Sequence, residues 1–186
     1  MPVPLGFWAA AGAGGGAADP SYEQITTTVL SGLSSNVSLS SIPSTYKHLQ
    51  VRMVVQTSSG SNQNRFAGLR LNGDTAANYS SHALQGDGGS VGSTNQAQSY
   101  MEFRTSGQAL PGFAAHIIDV LDYTSAAKFK TTRMLGGYAA GNGNSYLQLA
   151  SGNWRSTAAV NSIQIISLGG DAFVAGSRFS VYGIKG

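Results

Sequence analysis

Between His48 and Gln56 the chain alternates, with Leu49, Val51, Met53 and Val55 set against Gln50, Arg52 and Gln56. Successive side chains of a strand point to opposite faces, so this period commits the segment to a half-buried β-strand rather than an amphipathic helix. One residue breaks the rule: the apolar Val54 falls on the outer, polar side. Phe66–Leu71 alternates in the same way, with Leu69 and Leu71 inward and Arg70 outward. It stops at Asn72-Gly73-Asp74, whose Asn-Gly pair favours the positive φ angles of a hairpin turn. Comparable runs predict strands over Thr26–Leu30, Val37–Leu39, Tyr79–Leu84, Tyr100–Arg104, Ala114–Leu121, Phe129–Leu135, Tyr146–Ala150, Val160–Ser167 and Arg178–Ile184. Glycine, asparagine and aspartate punctuate the gaps, and no helix of ten or more residues is convincing. The expected fold class is all-β, a jelly-roll-like two-sheet β-sandwich. The polar stretch from Gly86 to Gln98 reads as a loop, long enough to be functional or disordered.

Composition narrows the classes of function. With 186 residues and 41% hydrophobic side chains the chain can bury one core, and wholesale disorder is excluded. The absence of cysteine removes disulfides, thiolate catalysis and cysteine-ligated zinc. No apolar run approaches the ~20 residues of a membrane helix, so no membrane insertion is expected. A net charge of +3 is spread thinly. Lys128, Lys130 and Arg133 form the one basic concentration, too little for a nucleic-acid footprint.

The chain divides near its start. Residues 1–20, MPVPLGFWAAAGAGGGAADP, carry no lysine or arginine and are rich in glycine and alanine. A secretory signal needs a cationic start and an unbroken apolar core, and a phosphate loop needs a preceding strand and a Gly-Lys-Ser/Thr ending; neither pattern is met. The segment reads as an extended, flexible N-terminal arm whose Leu5, Phe7 and Trp8 are docking side chains. They either fold back on this chain's own body or enter a groove on a partner, with Gly12–Gly16 as the swivel. Residues 21–186 form the β domain.

Signals for catalysis are weak. Asp19, Asp74, Asp87 and Asp171 sit in turn sequences, where aspartate bonds its own backbone. Asp119 and Asp122 flank Val120-Leu121 at a strand end, on opposite faces of a regular strand. That does not suit the facing carboxylates of a glycosidase. Instead one is expected to cap the following turn and the other to pair with a base such as Lys128. His48, His82 and His116 share no metal-ligand spacing, no Gly-x-Ser-x-Gly elbow is present, and Asp87 alone is too little for calcium. No cofactor, metal or catalytic residue is expected. The sequons at Asn36 and Asn78 are expected by chance. Tyrosines near strand ends, beside Asn, Gln and Ser, suit sugar-binding surfaces as well as cores and interfaces. The positions chosen for ligand contact are Tyr79, His82, Asp87 and Tyr138.

The opening MPVPLGFWAAAGAGGG, together with SIPSTYKHLQVRM, LRLNGDTAANYSSHALQGDG, IIDVLDYTSAAKFKTTR and the closing GSRFSVYGIKG, resembles small virion structural proteins of tailed bacteriophages, the marine and cyanobacterial type. The likeness runs along nearly the whole chain and rests on short strings rather than a catalytic motif. It implies a tail-fibre-like protein with a jelly-roll-like body, a homotrimer, and an arm that docks the body on other virion proteins of tail or capsid. Two expectations follow: an adhesin that meets a host-surface glycan, or a decoration protein that stabilises the head without a host ligand. A polysaccharide depolymerase using Asp119 and Asp122 is a third and weaker expectation.

Overall fold

The computed structural model describes residues 21–60, 64–110, 112–140 and 145–186. Leu5, Phe7 and Trp8 lie outside these residues. The described chain is all-β and holds no helix. Its twelve strands are β1 (Tyr22–Val29), β2 (Asn36–Leu39), β3 (His48–Thr57), β4 (Arg65–Leu71), β5 (Tyr79–Gly86), β6 (Val91–Gln98), β7 (Met101–Gly107), β8 (Ala114–Leu121), β9 (Lys130–Tyr138), β10 (Tyr146–Trp154), β11 (Ile163–Ser167) and β12 (Arg178–Ile184).

Antiparallel pairing runs in the order β1-β12-β3-β8-β9-β10-β5-β6 along one series and β2-β11-β4-β7 along another. The two series meet in a short parallel pairing of Gln56 and Thr57 with Ser106 and Gly107, which makes the sheet mixed. Gln56 belongs to the outer set by parity, yet it is buried here. Its Nε2 donates to the carbonyls of Gly107, Leu110 and Gly112 at 3.2, 2.9 and 2.9 Å. A buried amide is tolerated because those carbonyls would otherwise lose water without a replacement partner.

The inward side chains of both series share one core. Leu49, Val51 and Val55 of β3, Leu69 and Leu71 of β4, Ile163 and Ile165 of β11, and Phe179 and Val181 of β12 are essentially inaccessible. Each such Val, Leu or Ile contributes about 1.5–3 kcal/mol relative to an exposed position. Contacts bridge the two series: Phe103 of β7 lies edge-on to His116 of β8 at 5.1 Å, and Thr132 Oγ1 of β9 lies 3.1 Å from Met101 Sδ.

Two expectations are corrected here. The stretch Gly86–Gln98 is not a loop. It forms the turn from β5 into β6, and β6 pairs with β5 from Gly86↔Val91 to Tyr79↔Gln98. Polar residues suit this edge strand, since it has no second neighbour and only one set of ladder bonds to satisfy. The Asn-Gly turn does form, with φ of 53° at Asn72 and 65° at Gly73 and a 3.1 Å bond from Asp74 N–H to the Leu71 carbonyl. It does not close a hairpin, because β4 pairs with β7 and β11 while β5 pairs with β10 and β6.

Candidate functional site

Strand parity dictates what the outer face of the longer series displays. In β10 the inward residues are Tyr146, Gln148, Ala150, Gly152 and Trp154, so Leu147 and Leu149 point out. In β9, Lys130, Thr132, Met134 and Gly136 point in and Leu135 points out. Lys130 is buried along its stem, with Nζ donating to the carbonyls of Ser125 and Lys128 at 2.6 and 3.0 Å. A lysine, a threonine and a glutamine thus lie inside while leucines face solvent, the reverse of an ordinary alternation.

Register sets these outward residues in line. Ile117 of β8 lies opposite Leu135 of β9, Leu135 opposite Leu149 of β10, and Leu149 opposite Leu84 of β5. The next row runs from Val54 through Ala115, Gly137, Leu147 and Gly86 to Val91. Val54, Leu84, Val91, Ile117, Leu135, Leu147 and Leu149 are 43–77% exposed and make up seven of the eleven exposed large apolar residues among those described. The small side chains of Ala115, Gly137 and Gly86 leave the centre of the second row low, and a groove of about 1100 Å³ lies over it. A contiguous outward apolar surface of this kind marks a contact site, whereas the other four, Val29, Leu33, Phe113 and Phe129, lie outside these rows and need no such account.

One flank of the band is polar and internally bonded. Tyr22 donates to Gln50 Oε1. Gln50 Nε2 donates to Asp119 at 2.8 Å, and Arg133 stands 3.6 Å from Asp119. The Arg52 guanidinium lies 4.9 and 5.0 Å from the ring centroids of Tyr22 and Tyr182. Arg52 lies opposite Ile117, so its guanidinium stands at the β3 end of the band's first row.

The four positions chosen for ligand contact do not converge. Tyr79 is wholly buried, which corrects its placement on a ligand surface. Its hydroxyl accepts from Leu71 N–H at 3.0 Å and lies 3.2 Å from the Leu71 and Asp74 carbonyls, to which it donates. Burial pushes its pKa up to about 12. The ring braces the Asn72-Gly73 turn, and Tyr79→Phe is expected to lower unfolding free energy by about 1–2 kcal/mol in urea denaturation. His82 is exposed on the outer face of β5, opposite Ser151. Asp87 sits in the β5–β6 turn, where the backbone N–H groups of Ser90 and Gly89 (2.7 and 2.9 Å) hold its carboxyl below the usual range. Tyr138 is half-buried, donates to Asn64, and is pushed up to about 12 by desolvation. Asp87 and Tyr138 border the groove; His82 and Tyr79 do not.

The remaining candidates have structural partners. Asp119 lies on the outer face in the bonded row above. Asp122, at φ 46°, occupies the turn after β8 and is held by Lys128 at 3.0 Å and Lys47 at 3.3 Å. These lysines keep its carboxyl below the usual range. The trio Lys128, Lys130 and Arg133 separates into an Asp122 partner, a buried stem and an Asp119 partner. Asp74 accepts from Asn78 (2.9 Å), Trp154 Nε1 (2.7 Å) and Ala76 N–H (2.8 Å), and these bonds lower its pKa. Among the described residues no group of three or more His, Asp or Glu stands close enough to hold a metal ion.

The apolar band was missed in the sequence except for Val54, the residue that broke the alternation. The signal was present in β10, where Leu-Gln-Leu shows the period but not which set faces in. No family model, curated protein or solved structure matches the chain, so its function is argued from this geometry.

Proposed function

We propose that the chain is a structural protein of a tailed-bacteriophage particle, a tail-fibre-like or adhesin-like module that works by surface contact. The observation that carries this reading is the in-register apolar band of β3, β8, β9, β10 and β5, a surface suited to a protein neighbour. On this reading the two strand series are the sheets of a jelly-roll-like sandwich, and the copies assemble as a homotrimer. Leu5, Phe7 and Trp8 are the side chains that join the body to the rest of the particle. Host contact, with a surface glycan in the first instance, falls on the exposed His82 and Asp87 side of the β5–β6 hairpin. Many copies, each held by a short anchor, bind through avidity.

The apolar character of the band favours a second reading, a head decoration protein, because such a face meets protein more readily than sugar. Labelled antibody on purified virions tests both. Label at the tail or its fibres is the result expected for the module that meets the host, and deletion of the gene then abolishes adsorption while leaving heads intact. Label spread over the head favours decoration, with heads that fail on heating when the protein is missing. Absence from the particle would overturn both readings.

A further inference from the structure

Alternation along β7 turns Met101, Phe103 and Thr105 into the core and leaves Glu102 and Arg104 half-buried on the other face. Register places Phe66 of β4 directly opposite Arg104, and Tyr146 of β10 reaches it from the longer series. The guanidinium lies 4.7 Å from the centroids of both rings. Two ring faces fix its plane but take none of its five N–H donors. Among the described residues no carboxylate pairs with the Arg104 side chain and no oxygen accepts from it. Other arginines are taken up: Arg65 by Asp171, Arg70 by the Ser99 carbonyl, Arg133 by Asp119 and Arg155 by the Ala77 carbonyl. Arg104 borders a cavity of about 90 Å³ between the two series, lined also by Glu102, Phe66, Gln85 of β5, Thr94 of β6 and Gln148 of β10. All of these but Gln148 keep partial exposure, so the cavity is not sealed in the core. Two amides there are half-used. Gln148 is 5% exposed, and its Oε1 accepts from the Arg104 backbone N–H at 3.1 Å, which leaves its Nε2 as a donor. Gln85 Oε1 is buried and accepts from no group among the described residues. A buried acceptor without a donor carries the desolvation cost of that atom.

We infer that this cavity binds a carboxylate that carries a hydroxyl one or two carbons away. The inference goes beyond the virion reading and does not depend on it. Arg104 offers a planar fork that matches a carboxylate with two parallel bonds, and the rings keep that fork set in advance. The hydroxyl donates to Gln85 Oε1, the acceptor that the protein leaves unpaired. Glu102 decides the charge of the ligand. It stands two residues from Arg104 on the same face of β7, about 7 Å along the strand. A doubly charged anion such as phosphate would meet this second carboxylate at close range, where like charges are penalised. A single carboxylate spends its charge on Arg104 and turns a neutral hydroxyl to the amide. Size agrees. The cavity has room for a few waters at ~30 Å³ each, enough for a carboxylate and the hydroxyl beside it but not for a whole sugar ring. Two sources supply this chemistry: a free small hydroxy acid, or a uronic acid residue of an acidic glycan whose ring stays outside.

The full-length protein is titrated with glycolate, acetate, galacturonate, galactose and inorganic phosphate, and binding is followed by NMR chemical shifts. Glycolate is expected to bind several-fold more tightly than acetate, which lacks the hydroxyl, and about tenfold or more tightly than phosphate. Arg104→Met is expected to weaken glycolate binding about tenfold or more, with Arg178→Gln, at an exposed arginine elsewhere, as the control. Gln85→Met keeps Arg104 and is expected to erase the preference for glycolate over acetate, a readout that stands even where the Arg104 variant fails to fold. Galacturonate binding at least as well as glycolate, with no response to galactose, supports the inference and assigns the site to an acidic glycan. Glycolate binding without galacturonate binding supports it and assigns the site to a free hydroxy acid. Phosphate binding as tightly as glycolate, no glycolate binding at tens of millimolar, or an unchanged glycolate affinity in folded Arg104→Met would overturn it.

Discussion

Gly137→Ala is expected to lower unfolding free energy by about 3 kcal/mol or more, the upper end for an added methyl, and the melting temperature by about 6–12 °C. Gly137 lies in the floor of the groove, opposite Leu147 across the β9–β10 ladder. A β-carbon there would stand 2.2 Å from the Tyr146 carbonyl oxygen and 3.1 Å from Leu147 Cα. Both are backbone atoms, so no rotamer change relieves the clash. Relief requires the two strands to part, which loses ladder hydrogen bonds and displaces Leu135 and Leu149 from their shared row. Gly92→Ala is the matched control, since its β-carbon would meet only the Gln85 side chain at 3.8 and 4.0 Å, an ordinary contact. Urea unfolding of the two variants beside the parent checks the contrast. Equal stabilities would mean that the strands are not paired in this register.

The second large effect is a loss of stability in mild acid centred on His116. Its ring is buried against Phe103, and neither nitrogen has a hydrogen-bond partner. Burial lowers its pKa from 6.5 to about 4. Above pH 6.5 the ring is neutral in both states and adds no pH dependence. As the pH falls through 6.5 the unfolded chain binds a proton that the folded chain refuses, so stability declines. The decline ends near pH 4, where the folded ring protonates too, after a total of about 3 kcal/mol. His116→Met is expected to remove this slope between pH 6.5 and 4, whatever its effect at neutral pH. The carboxylates held below their usual range, Asp74, Asp87 and Asp122, act lower still, because a depressed acid loses its stabilising effect only as pH falls through and below its ordinary value. Urea unfolding at half-unit pH steps separates the two windows. A slope retained in the methionine variant would assign the acid sensitivity elsewhere.

The strands of this protein were legible because period two survives in most of them, and β8 and β12 keep the bounds their alternation predicts. The edge strand β6 was not, because an edge carries little apolar signal and its polar run, Gly92-Ser93-Thr94-Asn95-Gln96, looks like a loop. Faces were harder than strands. Alternation cannot say which set faces in when Leu147 and Leu149 alternate with Tyr146, Gln148 and Ala150, and the answer comes from register with neighbours far along the chain. The same limit explains Tyr79. A tyrosine at a strand start beside polar residues looks exposed, yet its hydroxyl finds the Leu71 backbone and the ring is sealed under the turn. Gln56 was misplaced for a related reason, since its inward turn depends on β7 arriving alongside it. What no local pattern contains is the in-line placement of Ile117, Leu135, Leu149 and Leu84, which belongs to four separate stretches of sequence.

The pairing of β1 with β12, and of β12 with the central β3, has a consequence in time. At roughly 5–20 residues per second a chain of this length takes on the order of tens of seconds to make. Until Arg178–Ile184 has been made, the β12-facing edge of β3 and the whole of β1 lack the partner they need. The sheet therefore cannot close until β12 has been made, and the last of the twelve strands holds the first one in place.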